Sequence, residues 1–185
     1  VGSVGYTEDV HPGHDWELHS AVVSRAHIAT LSVPTVTPEH LDALSIAAAR
    51  PTMMEVDEKT LPHELDWLRT AVHLNKGCYR GQEAVAKVHN LGHPPRRITL
   101  LHLDGSESLL PSSGDEVMLG EKTVGRITRA AWHYELGPIA LAMLKRTTPV
   151  EEALTVITGG RSVGANQEVL VPIDAGATRD IPRLG

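Results

Sequence analysis

The single cysteine of the sequence, Cys78, stands between Lys76 and Arg80, is flanked by Gly77 and Gly81, and precedes a helix-like run that begins near Gln82. A thiol becomes chemically active as the thiolate. The partial positive charge of a helix N-terminus favours that form, and neighbouring cations add to it. The two glycines remove bulk beside the sulfur, so the pattern predicts a partly exposed and reactive thiol with room for a ligand or partner. A free cysteine is equally at home as a small buried hydrophobe, and spacing alone leaves both readings open.

Other chemistry is harder to assemble. His11, His14 and His19 lie close together, and His89 and His93 are four apart. With eleven histidines such spacings arise by chance, the second pair straddles Gly92, and no second cysteine is present to build a zinc site. No metal site is expected. No G-x-S-x-G nucleophile elbow, phosphate-binding P-loop or dinucleotide fingerprint occurs.

The elements that must position Cys78 come in two styles. In TPEHLDALSIAAARP, Thr37 reads as an N-cap with Pro38 at the first helical position. Leu41, Leu44 and Ala48 share one face, and Pro51 ends the run. QEAVAKVHNLG predicts a shorter helix from Gln82 to Gly92 with Val85 and Val88 inward. Past GHPPRR the pattern turns to short strands: RITLLHL, EVML, TVGRIT, PIALAML, LTVIT and EVLVP. Ile139, Leu141 and Met143 alternate with Ala140 and Ala142, the period of a strand, and the first three are expected on the buried face. Six strands at this spacing predict a small antiparallel barrel or sandwich, with a loose tail from Ile173 to Gly185.

Composition narrows the function classes. The chain of 185 residues is 41% apolar, enough for one substantial core or two small ones, yet it has no Phe and only three Trp and three Tyr. Leu, Val, Ile and Ala must do the packing. The net charge is −6 and the cations form no stripe, which argues against nucleic-acid partners. One cysteine cannot form an internal disulfide, no apolar run reaches 18 residues and no signal-peptide pattern opens the chain, so a cytoplasmic, membrane-free protein is expected. The opening VGSVGYTEDV reads as mid-protein sequence, and we expect a fragment.

The segment KGCYRGQE, Lys76 to Glu83, resembles the K-G-C-Y-x-G-Q-E signature of the YgfZ family, folate-binding proteins related to the glycine cleavage T-protein, an aminomethyltransferase. RPTMMEVDEKTLPHEL is similar to that family's arginine-led segment followed by D-x-x-x-x-P-x-E. Gly114 to Arg146 resembles the barrel that YgfZ proteins and T-proteins share. The likeness runs from about Ser20 to Pro172. One departure is Pro-Thr-Met-Met after Arg50, where the family usually has an acidic residue and a glycine.

The resemblance implies an α+β fold: residues 1–95 as the second half of a folate-binding domain, residues 96–172 as an antiparallel β-barrel, and 173–185 as tail. It implies a functional thiol at Cys78 within a motif loop of Lys76, Gly77, Tyr79, Gly81, Gln82 and Glu83. Arg50 and Glu83 are implied as ligands of tetrahydrofolate: a carboxylate accepts two hydrogen bonds from the pterin edge, and a guanidinium pairs with a glutamate-tail carboxylate. The implied role is assembly or repair of iron–sulfur clusters, with folate and iron–sulfur proteins or their assembly machinery as partners, and without free-standing enzyme activity. T-proteins carry a different residue where Cys78 stands. The alternatives are aminomethyl transfer to tetrahydrofolate and a redox protein using Cys78 alone.

Overall fold

The computed structural model describes residues 10–74 and 76–177. In chain order these form α1 (Arg25–Ile28), α2 (Pro38–Ala47), 3-10 turns at Met53–Glu55 and Pro62–Leu65, α3 (Trp67–Thr70) and α4 (Gln82–Leu91). Six strands follow: β1 (Arg96–Leu103), β2 (Glu116–Leu119), β3 (Lys122–His133), β4 (Gly137–Lys145), β5 (Leu154–Thr158) and β6 (Arg161–Val169). All strand pairs are antiparallel, and the sheet closes in the order β1-β4-β3-β2-β5-β6.

Closure buries the lumen face of each strand, and the helical part buries the outer faces of β1 and β4 as well. Leu101, Leu103, Val117, Ile127, Ala140, Ala142, Leu144 and Val156 fill the barrel interior. Ile98, Leu100, Ile139, Leu141 and Met143 point outward and are buried instead against Ala43, Ile46, Ala49 and Leu65 of the helical part. The expected face of β4 is thus buried, but beneath the helices, while the small alanines line the narrow lumen. The two halves share one core.

The sixth strand and the tail differ from the sequence expectation. The sixth strand lies at Arg161–Val169, not at 168–172, because Gly159 and Gly160 both take positive φ (55° and 75°) and form a two-residue hairpin turn that starts β6 at once. Leu170 and Val171 belong to the core between barrel and helices. The tail is not loose as far as residue 177. Ala175 is buried, its carbonyl contacts His93 Nδ1 at 2.8 Å, and the Ala177 N–H donates to the Gly92 carbonyl at 2.7 Å. Residues 178–185 lie outside the described residues.

Helix α2 begins as expected, with Thr37 Oγ1 accepting from the His40 N–H. Its apolar face is rotated, however: Ala43 and Ile46 are buried, whereas Leu41 and Leu44 are 42% and 38% exposed. The rotation has a polar cause. A bulge in β3 between Ile127 and Arg129 turns Arg129 towards the helices. There its guanidinium donates to Asp42 (3.2 Å), Ser45 Oγ (2.9 Å), Glu55 (2.8 Å) and the Arg50 carbonyl (2.7 Å). Asp42 and Ser45 must face the barrel, and the leucines turn away.

A second arginine ties the halves together. Arg96, at the start of β1, donates to both oxygens of Asp57 (2.6 and 3.1 Å) and both oxygens of Glu64 (3.0 and 2.9 Å). Asp57 and Glu64 are the acidic positions of the D-x-x-x-x-P-x-E segment, so that segment clasps the barrel. Hydrogen bonds from Arg96 hold the Asp57 carboxyl far below the usual carboxylate range.

Candidate functional site

The motif loop leads into α4 through Gly81, whose φ of +83° is open to glycine and strained for other residues. With no side chain there to cap the helix, the turn closes through backbone bonds, Gln82 N–H to the Tyr79 carbonyl (3.2 Å) and Val85 N–H to the Gly81 carbonyl (3.1 Å). Cys78 is exposed. The Lys76 ammonium lies 5.0 Å from the Tyr79 ring centroid, so part of the cationic setting expected around the thiol rests on that ring. Gly77 and Gly81 have open space where a Cβ would stand. Tyr79, Gly81, Gln82 and Glu83 line one open groove together with Ala84 and Ala86.

Beneath this helix, Val85 is buried and His63 is fully buried. Burial lowers the His63 pKa to about 4, helped by the charge of His89 and opposed by a hydrogen bond to the Val85 backbone. A neutral core histidine therefore underlies the motif helix.

Arg50 sits elsewhere. Its backbone completes the C-terminal cap of α2: the Ala49 N–H bonds the Ile46 carbonyl and the Arg50 N–H bonds the Ser45 carbonyl, both at 2.9 Å, with Ala49 left-handed at φ 49°. The side chain turns towards the 11–13 segment, where a Cβ on Gly13 would lie 2.4 Å from the Ala48 carbonyl and 3.2 Å from Arg50 Nε. Arg50 Nε is buried and makes no hydrogen bond to a described residue. Arg50 does not line the Glu83 groove, and no hydrogen bond or ion pair among the described residues joins the two.

Beside Arg50 lies a group that sequence reasoning missed. Asp66 is buried in a left-handed conformation (φ 57°), and its Oδ2 accepts from Arg69 Nε (2.7 Å) and Nη2 (2.5 Å), with His11 Nε2 at 3.6 Å. Burial outweighs Arg69 and pushes the Asp66 pKa up to about 6. His11 is lowered to about 4 by burial and then by the charges of Arg69 and Arg50, and its Nδ1 accepts from the Gly13 N–H at 2.8 Å. The sequence had offered His11 only in the company of His14 and His19, and nothing but the tolerance of aspartate for left-handed backbone hinted at Asp66. Among the described residues no three His, Cys, Asp or Glu side chains gather as a metal site. No helix among the described residues is long and apolar enough to cross a membrane.

Comparison with known proteins bears on the barrel. No curated protein matches the chain. Among solved structures it is similar to the glycine cleavage system aminomethyltransferase T from Bartonella henselae, with a TM-score of 0.57 and 18% identity over 71% of this chain and 37% of that one. The chain thus spans little more than a third of that protein, and the likeness is one of fold. By sequence, residues 96–174 match the glycine cleavage T-protein C-terminal barrel domain. The second half of the chain is a T-protein-like C-terminal barrel.

Proposed function

We propose that the chain acts, as YgfZ proteins do, as a tetrahydrofolate-linked accessory factor in iron–sulfur cluster assembly or repair in the cytoplasm, with Cys78 as its functional group. The observation that carries this reading is the exposure of Cys78 in a KGCYRGQE loop that turns into α4 at the left-handed Gly81. Glu83, on the same groove as Tyr79, serves the pterin edge, and Arg50, whose buried Nε has no acceptor among the described residues, serves the tail carboxylate. Bound folate would supply a one-carbon carrier; the residues of this chain bind and orient it. Rescue of iron–sulfur enzyme activity in cells deleted for the gene tests the reading. The gene with Cys78→Ser fails to restore activity, and full rescue by that variant overturns the proposal.

A second reading, aminomethyl transfer to tetrahydrofolate, is favoured by the T-protein-like barrel and the likeness in fold to an aminomethyltransferase. It makes Cys78 dispensable. Calorimetry with tetrahydrofolate bears on both, since the Arg50→Ala, Glu83→Ala double variant should lose affinity in either case. Thiol-redox chemistry by Cys78 alone predicts rescue that is indifferent to that double variant.

A further inference from the structure

Arg97, the second residue of β1, is 0% exposed. It shares its side of the strand with Thr99, Leu101 and Leu103, of which the two leucines line the lumen, so its guanidinium lies inside one end of the barrel. Its partners are all neutral. Nη1 donates to Thr99 Oγ1 (2.7 Å), and Nη2 donates to the Thr148 carbonyl (3.0 Å) and Gln167 Oε1 (2.9 Å). The Gln167 amide is fixed with its oxygen towards Arg97, because its nitrogen donates to the Pro149 and Glu152 carbonyls at 2.7 and 3.0 Å. Two polar atoms at this end, Arg97 Nε and Thr148 Oγ1, are buried and bond to no described residue.

Contrast Arg96 and Arg129, which each hold carboxylates. Arg97 has none within ion-pairing distance among the described residues, and burial alone acts on its pKa, lowering it. A guanidinium does not shed its proton at neutral pH, and a buried cation without a counter-charge keeps an uncompensated desolvation penalty. A bridging water would satisfy hydrogen bonds and leave that charge uncompensated. A small anion does both.

We propose that this end of the barrel binds one monovalent halide-type anion, chloride in solution, held by Arg97 Nε and the Thr148 hydroxyl. Binding to the folded state alone raises stability in a saturable manner.

The test compares thermal unfolding of the whole chain in sodium chloride and sodium gluconate at equal ionic strength, with crystals soaked in bromide. The midpoint should rise and saturate in chloride only, and bromide should give an anomalous peak beside Arg97. Thr148→Val, which keeps Arg97 and removes one donor, should need at least threefold more chloride for half the rise, and Arg97→Gln should lose the response. Should Arg97→Gln not fold, Thr148→Val carries the test. Equal midpoints in the two salts, an unchanged chloride dependence in Thr148→Val, or a site holding water without bromide signal overturns the proposal.

Discussion

Arg96 meets Glu64 edge to edge, Nε on Oε1 at 3.0 Å and Nη2 on Oε2 at 2.9 Å, with the carboxylate fully buried and 32 residues away in sequence. Removing one partner of such a pair leaves the other charge poorly compensated. Glu64→Ala is expected to destabilise the fold by about 3 kcal/mol, because Arg96 keeps Asp57 while the Leu61 N–H also loses its acceptor. Urea unfolding measures it, and a change under 1 kcal/mol would show that Asp57 alone suffices.

Arg129 has a different weakness. It makes four separate contacts from a planar fork, which a lysine ammonium cannot reproduce. Arg129→Lys keeps the charge and should still cost roughly 2 kcal/mol by the same measurement. It should also increase hydrogen exchange in α2, whose docking depends on Asp42 and Ser45.

Much of the barrel was legible from the sequence because turns and period-2 strands are local signals. The period of β4 could not say which face met the lumen, since closure buries one face and the helical part buries the other. The orientation of α2 was misread because leucine spacing counts apolar residues, whereas Asp42 and Ser45 answer to a guanidinium more than 80 positions away. The glycine-bracketed turn into α4 was readable for the same reason as the other turns, whereas the motif around it was picked out by resemblance. Arg50 was picked out with Glu83, yet its neighbours His11 and Asp66 come from distant segments and one of them depends on a left-handed backbone.

Acid should weaken the fold. His11 and His63 have folded pKa values near 4, below their ordinary 6.5, so between these values the unfolded chain binds two more protons. Asp66, raised from 3.8 to about 6, binds one more in the folded state and works in the opposite direction. One net proton favours unfolding, at about 1.4 kcal/mol per pH unit. Stability should therefore fall by roughly 2 kcal/mol from pH 7 to pH 5. Urea melts across that range check it, and stability that rises towards pH 5 would mean that the Asp66 carboxyl dominates.

Gly81 and Cys78 separate shape from chemistry in the motif loop. Gly81→Ala places a Cβ in open space, so its cost is conformational, about 1 kcal/mol for the left-handed φ. Cys78→Ser alters an exposed atom in a turn and should change stability by less than about 0.5 kcal/mol. If the thiol is the functional group, the ranking inverts in cells: the less stable Gly81→Ala protein retains part of the rescue, and the fully stable Cys78→Ser protein has none. Alkylation of the native protein supplies the physical control, since an exposed thiol should react without denaturant, and protection in the folded state would mark it as an inert filler. Rescue that follows stability, with Gly81→Ala the worse of the two, would make the loop a conformational element and remove Cys78 from the chemistry.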